Sequence, residues 1–186
     1  MKTDGEQVVL YFHGAKEGRK YFMRRSDREI TDRNEILEVM EKCDVCRLAW
    51  NDTEQGYPYI LPLNFGMKTD GEQVVLYFHG AKEGRKYELI AKDNRVSFEM
   101  DCAHQLVTDE VSGNCTMNYE SVIGRGKIEI VCEEEKEEAL CILMQHYRAE
   151  DFPYNKAVVP QTMILKLTVE KMSGKRRKKQ INSIPI

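Results

Sequence analysis

Residues 79–86, HGAKEGRK, hold the side chains best suited to chemistry in this sequence. Three cations, Lys82, Arg85 and Lys86, lie three and four residues apart where a strand pattern gives way to a helix pattern. Like charges at helical spacing repel each other, and the first amides of a helix already carry partial positive charge. This arrangement therefore favours an anion such as phosphate among the cations. From the residues alone, a solvated basic turn softened by Glu83 remains the alternative.

Three further residues of this segment support a ligand site. Gly80 and Gly84 have no Cβ, so the backbone can approach a ligand closely at both positions. Imidazole changes charge near neutral pH, which suits His79 to position or protonate a substrate. The segment therefore combines an anion-binding pattern with a candidate acid–base group.

The elements that must position this segment are mainly β-strands. We predict strands at residues 46–50, 57–67, 74–80, 95–100, 117–131 and 162–172, and helices at residues 32–43, 82–93 and 133–151. Asp70-Gly71 is typical of a hairpin turn, and too few helices follow strands to form a doubly wound parallel sheet. The pattern predicts a mainly β fold with helices, in which about six antiparallel strands form a small barrel and three helices lie at its ends.

Composition narrows the class of protein. The chain has 186 residues, of which 41% are hydrophobic and 32% charged, as expected for a globular domain. No apolar run approaches the roughly 18 residues that cross a bilayer, and the N-terminus lacks a secretory pattern, so we expect a cytoplasmic protein with no membrane partner. The net charge of −3 makes nucleic acid an improbable partner. We expect the basic residues 176–186 to form a solvated tail.

The six cysteines are sparse and irregularly spaced, so we expect free thiols that are mostly buried. Cys43 and Cys46 form a CxxC motif at a predicted helix end, whereas redox motifs lie at helix beginnings. A structural zinc site needs two further ligands, and no second CxxC exists. We therefore interpret both as buried thiols and predict no metal site.

Residues 1–21 repeat residues 67–87 without a single difference. Structural repeats recur at least three times and diverge, so an undiverged pair indicates a recent duplication or an accident in the sequence. Only the second copy is preceded and followed by the strands that its hairpin needs. We therefore predict one site, formed by the second copy, and an appended arm at residues 1–21 whose His13, Arg19 and Lys20 form no second site.

Six segments, in this order, resemble the Nim-type 5-nitroimidazole-resistance proteins. The resemblance covers residues 24–175 and rests on MRRSDREITD, CRLAW, YPYILPLNFG, LYFHGAKEGRK, NYESVIGRGK and MILKLTVEKMSGK. Nim-type proteins belong to the wider pyridoxamine 5′-phosphate oxidase-like, FMN-binding split-barrel families.

The resemblance implies an FMN-binding split β-barrel at residues 22–175 that forms a homodimer, with the cofactor at the subunit interface. It places the reaction at His79, beside the flavin, and the flavin phosphate at the cations. Carried over motif by motif, the cofactor-binding residues are Pro62, Leu63, Asn64, Phe78, His79, Lys82, Arg85, Lys86, Ser121 and Val122.

The implied activity is that of an FMN-dependent oxidoreductase. A reduced donor would supply electrons to the flavin, and a small aromatic or nitro compound such as a nitroimidazole would accept them, which would give antibiotic resistance. Two alternatives remain open: a flavin-binding module for storage or sensing without turnover, and an oxidase of pyridoxamine 5′-phosphate. The last would require a further basic site for the substrate phosphate, which the sequence does not identify.

Overall fold

The structure, a computed structural model, describes residues 25–153 and 155–179. Its strands are β1 (Glu29–Ile30), β2 (Cys46–Asp52), β3 (Tyr57–Leu63), β4 (Phe65–Asp70), β5 (Gln73–Gly80), β6 (Arg95–Asp109), β7 (Asn114–Ile130) and β8 (Met163–Arg177). Its α-helices are α1 (Arg33–Lys42), α2 (Arg85–Lys92) and α3 (Lys136–His146). All strand pairs are antiparallel, in the order β3-β2-β6-β7-β8-β5-β4, and β1 pairs with β8.

The sheet forms a split β-barrel, as predicted. Strands β3 and β4 lie at opposite ends of the strand order, yet Asn64 alone separates them in the chain. The prediction of one strand over residues 57–67 is therefore wrong, because the chain turns at Asn64 from one sheet edge to the other. The Asn64 amide donates to the Asp44 carbonyl at 3.0 Å and to the Tyr147 hydroxyl at 3.2 Å, which fixes this turn.

The barrel interior holds one main hydrophobic core. Its largest fully buried side chains include Trp50, Phe65 and Phe78. Helix α1 begins as predicted at Asp32, whose Oδ1 accepts from the Asn34 amide at 2.7 Å. Helix α3 covers the outside of β4, where a Cβ on Gly66 would lie 2.5 Å from the Leu143 Cα.

Strands β6 and β7 form a longer hairpin than predicted. Both strands extend into residues 101–116, where we expected a loop. A β-bulge between Cys102 and Gln105, with Ala103 at φ +56°, breaks the alternation of polar and apolar residues in this stretch. The polar composition of the hairpin therefore conceals its strands.

The basic C-terminal segment is part of the sheet. Strand β8 continues beyond the predicted end at Met172, and Arg176 and Arg177 pair with Glu120 and Tyr119 of β7. The prediction that a solvated tail begins at residue 176 is therefore wrong. The predicted arm at residues 1–21 lies outside the described residues.

The described thiols differ from the expectation. Cys43 and Cys46 are buried, and burial raises the pKa of both, whereas Cys115, Cys132 and Cys141 are exposed. The prediction of mostly buried thiols is therefore wrong for the second half of the chain. Within the described ranges, no three His, Cys, Asp or Glu side chains are grouped to hold a metal ion, and no helix has the length and apolarity to cross a bilayer.

Candidate functional site

Lys86, in the first turn of α2, is a buried cation with no counter-ion in the described part of the chain. The residue is only 8% exposed, and its Nζ donates to the Glu83 carbonyl at 3.2 Å. The same Nζ lies 4.3 Å from the centre of the Tyr87 ring. Among the residues that the structure describes, no carboxylate forms an ion pair with Lys86, and burial lowers its pKa. An ammonium held in this way is stabilised by an anion that enters beside it.

Two glycines let the backbone lie close to the Lys86 ammonium. A Cβ on Gly80 would lie 3.6 Å from the Lys86 Nζ, and one on Gly84 would lie 3.4 Å from it. Gly84 also caps α2 with φ at +127°, a conformation that other residues rarely adopt. The helix N-terminus, the ammonium and the two positions without a Cβ together suit a phosphate group.

Arg85 is engaged differently from Lys86. Its Nε and Nη2 donate to the two oxygens of Asp52 at 2.9 and 2.8 Å, and further bonds of 2.6 and 2.5 Å join it to Glu54 and Glu88. The hydrogen bond from Arg85 lowers the pKa of Asp52, which is 3% exposed. Arg85 therefore fastens α2 to the end of β2, and its donors already have acceptors.

The remaining residues of the basic segment face solvent or the core. His79 and Lys82 are exposed, and neither forms an ion pair within the described chain. Phe78 is fully buried, with its ring centre 6.5 Å from that of Phe65. The structure thus leaves His79 accessible to a small molecule, while Phe78 supports it from inside the barrel.

In the PLN segment, Asn64 lies close to His79. Phe65 of β4 pairs with Phe78 of β5, so the same register, extended by one residue, places Asn64 opposite His79. Pro62 and Leu63 end β3 immediately before this point. Asn64 and His79 therefore each adjoin the paired residues Phe65 and Phe78, whereas Pro62 and Leu63 belong to β3, which is not a neighbour of β5 in the sheet.

Ser121 and Val122 are far from this group within one chain. Val122 is fully buried in the core, whereas Ser121 is partly exposed and pairs with Lys175 of β8. Gly80, at the other end, pairs with Met163 of β8. Met163 and Lys175 are separated by about 40 Å along β8, at ~3.3 Å per residue. A single chain therefore does not place Ser121 beside His79.

A groove of about 650 Å³ lies on the outer face of the sheet, across β3, β2, β6, β7 and β8. Pro62, Arg47, Glu99 and Ile123 are successive cross-strand neighbours on β3, β2, β6 and β7. The groove is lined by Arg47, Ala49, Ile60, Ser97, Phe98, Glu99, Ile123, Gly124, Arg125, Lys171, Met172 and Ser173. Its lining is mainly apolar, and its Ile60 and Ile123 side chains are exposed.

The sequence did not identify Asp52 as a partner of the basic segment. Asp52 lies in NDTEQG, whose composition indicates only a turn, and it is 33 residues from Arg85. Its burial is the signal that distinguishes it, and burial becomes visible only in the folded chain. The other histidines also have neighbours: His104 contacts Asp101 at 2.7 Å, and His146 Nε2 lies 2.9 Å from the Cys43 carbonyl oxygen.

The fold and the surroundings of Lys86 define a split β-barrel protein with a buried cation suited to an anionic group. More particularly, the chain belongs to the pyridoxamine 5′-phosphate oxidase family, whose model matches residues 32–176. It is similar to a proposed 5-nitroimidazole antibiotic resistance protein from Bacteroides thetaiotaomicron, with 34% identity and a TM-score of 0.68 over 80% of this chain and 86% of that one. The resemblance found in the sequence is thus confirmed.

More distant structures share the fold. The flavocytochrome Anf3 from Azotobacter vinelandii is 19% identical with a TM-score of 0.68, over 85% of this chain and 73% of that one. An FAD and heme binding protein from Mycobacterium smegmatis is 17% identical with a TM-score of 0.67, over 84% of this chain and 76% of that one. None of the curated proteins matches the sequence.

Proposed function

We propose that this protein binds FMN and is an oxidoreductase that reduces nitroimidazole-like or other small aromatic acceptors. The observation that carries the proposal is Lys86, a buried ammonium beside Gly80 and Gly84 that has no carboxylate partner among the described residues. Similarity to the Bacteroides protein supports the acceptor class, and the flavin-binding proteins that share the fold support the cofactor class.

The residues around Lys86 fit a flavin phosphate. Lys86 and the α2 amides would hold the phosphate, and the exposed Lys82 would add a second charge. Once bound, FMN supplies the redox chemistry. His79 faces solvent and would orient the acceptor and deliver a proton to it from a ring nitrogen.

The same proposal includes a homodimer. Ser121 lies too far from His79 to share a site within one chain, whereas Ile123, two residues along β7 from Ser121, lines the outer groove. A two-fold related copy that packs on this groove would cover Ile60 and Ile123 and bring its Ser121 towards the first copy's basic segment. The exposed apolar side chains of the groove favour such a partner.

Ile123→Glu is expected to convert the dimer to a monomer and to lower its flavin content, because it places a charge in the apolar groove. Size-exclusion chromatography with light scattering and the flavin absorbance measure both effects. Ile130→Glu is the matched control, since Ile130 is also exposed on β7 but does not line the groove. A monomeric parent protein, or a dimer that survives Ile123→Glu, would contradict the interface.

His79→Ala is expected to lower the rate of nitroimidazole reduction by about a hundredfold, the usual contribution of a general acid, without loss of flavin. Steady-state assays with a reduced nicotinamide donor measure the rate, and the heat-released cofactor should be FMN. His104→Ala, which removes a half-exposed histidine of β6, should leave the rate unchanged.

Two other results would favour different functions. If the parent protein retains FMN but no donor and acceptor give turnover, the protein is a flavin-binding module for storage or sensing. A colourless protein that refuses added FMN and FAD would contradict both proposals. Oxidation of pyridoxamine 5′-phosphate by the parent protein would identify the third activity.

A further inference from the structure

The cations at the end of β8 divide into two sets. Arg176 and Lys178 turn towards Glu120 of β7, with Nε–Oε1 and Nζ–Oε1 distances of 2.6 and 3.0 Å. Lys42 of α1 reaches the other oxygen of Glu120 at 3.1 Å, and Arg176 also bonds to Glu35. These contacts neutralise Arg176 and Lys178 and hold the end of β8 against α1.

The odd-numbered cations have no such partners. Alternate residues of a strand face opposite sides, so Lys175 and Arg177 do not share the orientation of Arg176, and Lys175 is the cross-strand neighbour of Glu29 of β1. Lys179 follows two residues later, and Asn118 holds its backbone through bonds of 2.8 Å to the N–H and 3.2 Å to the carbonyl. Lys175, Arg177 and Lys179 form no ion pair within the described part of the chain. We term these three residues the basic row.

An aromatic ring and a groove adjoin the basic row. Tyr119 of β7 is the cross-strand neighbour of Arg177, and the Arg28 guanidinium donates to its hydroxyl at 3.4 Å. A groove of about 490 Å³ is lined by Tyr119, Arg177 and Lys179, together with Ala103, Gln105, Val107, Asn118, Glu120 and Lys178. The backbone on both sides is held by strand pairing, so the groove is formed before a ligand arrives.

We propose that the basic row binds the phosphate groups of a nucleotide, with the base beside Tyr119. A guanidinium offers two parallel donors to phosphate oxygens, and flanking ammonium groups neutralise further charge. The aromatic ring provides a surface on which a base stacks. The protein as a whole has a net charge of −3, so the positive row is a local feature rather than a general property of its surface.

This site is separate from the surroundings of Lys86. Arg177 lies fourteen residues beyond Met163, which pairs with Gly80 at the other end of β8. The inference therefore does not depend on the proposed function. Reduced nicotinamide nucleotides belong to the proposed ligand class, so an electron donor is one of the ligands that the site would accept.

Calorimetric titration of the full-length protein with ADP at low salt tests the proposal. Arg177→Gln should weaken ADP binding by about tenfold or more, because it removes a charge-assisted contact. Lys127→Gln is the matched control, because it removes one positive charge from an exposed position of β7 that does not line the groove. It should change the affinity for ADP by less than about twofold, which is close to the measurement error. Tyr119→Leu should weaken ADP but not inorganic pyrophosphate.

Three results would overturn the proposal. These are no heat of binding with millimolar ADP, an equal loss of affinity in Arg177→Gln and Lys127→Gln, and pyrophosphate binding as tight as that of ADP. A single-stranded oligonucleotide that binds far more tightly than ADP would instead assign the row to nucleic acid. If Arg177→Gln lowers the melting temperature, Lys179→Gln replaces it in the comparison of ADP affinity with Lys127→Gln, because Lys179 lies beyond the end of β8.

Discussion

Lys86→Met is expected to weaken FMN binding by roughly tenfold to a hundredfold, the effect of losing a hydrogen bond to a charged group. The same change should leave the unliganded protein equally stable or more stable. Burial lowers the pKa of Lys86, so below that pKa the charged form opposes folding, and methionine removes this opposition. Loss of binding together with retained stability distinguishes a ligand-binding residue from a structural one.

Fluorescence quenching of FMN by the apoprotein measures the affinity, and thermal unfolding measures the stability. Lys92→Met is the matched control, because Lys92 lies on the same helix but is exposed and paired with Glu54. Arg85→Gln should show the opposite pattern, with lower stability and a smaller direct effect on FMN, because its donors already bind Asp52, Glu54 and Glu88. A loss of FMN affinity in Arg85→Gln at unchanged stability would identify Arg85 as the phosphate ligand instead.

The pH dependence of FMN binding gives a second measurement on Lys86. Because its pKa is lowered from 10.5, Lys86 loses its proton at a lower pH than an exposed lysine does. The affinity of the parent protein should therefore fall as the pH rises through this lowered value. Lys86→Met should lack this step, and an unchanged step in the variant would assign the titration to another group.

The sequence predicted a phosphate site at the basic segment, but it did not distinguish the surroundings of Arg85 from those of Lys86. Both Arg85 and Lys86 follow Gly84 and look equivalent as neighbouring cations. What separates them is the position of Asp52, which reaches Arg85 from the end of β2, whereas no carboxylate of the described ranges pairs with Lys86. That difference depends on a contact between segments 33 residues apart, and neither spacing nor motif encodes it.

At the basic end of β8, the sequence led to a wrong prediction. Five consecutive cations predict a solvated segment, because like charges repel and favour water. The structure instead pairs two of them with a carboxylate of β7 that is itself buried. Glu120 lies in the strand pattern NYESV, where a single acidic residue gives no sign that it faces inward. The contacts between Glu120 and the cations at the end of β8 join distant segments of the chain, so composition alone could not predict how far β8 extends.

Glu120→Gln is expected to lower the free energy of unfolding at neutral pH by up to about 3 kcal/mol. Burial alone would raise the pKa of Glu120, but hydrogen bonds from Lys178, Lys42 and Arg176 outweigh it and hold the pKa at about 2. The quoted value is an upper bound, because the Lys42 and Lys178 side chains are 49% and 63% exposed and water weakens both contacts. Glutamine keeps the shape but leaves three cations facing a neutral group.

The sign of the pH effect follows from the same pKa. A carboxylate whose folded pKa lies below its unfolded value near 4.5 stabilises the fold above that value, and this contribution is lost as the pH falls towards 2. Urea unfolding between pH 7 and pH 2 should therefore show a decline in the parent protein that is smaller in Glu120→Gln. Glu129→Gln, on the exposed face of β7, should decline like the parent. Parallel curves for all three proteins would mean that Glu120 does not hold the end of β8 through its charge, and the basic row would then lack the support that keeps it in place.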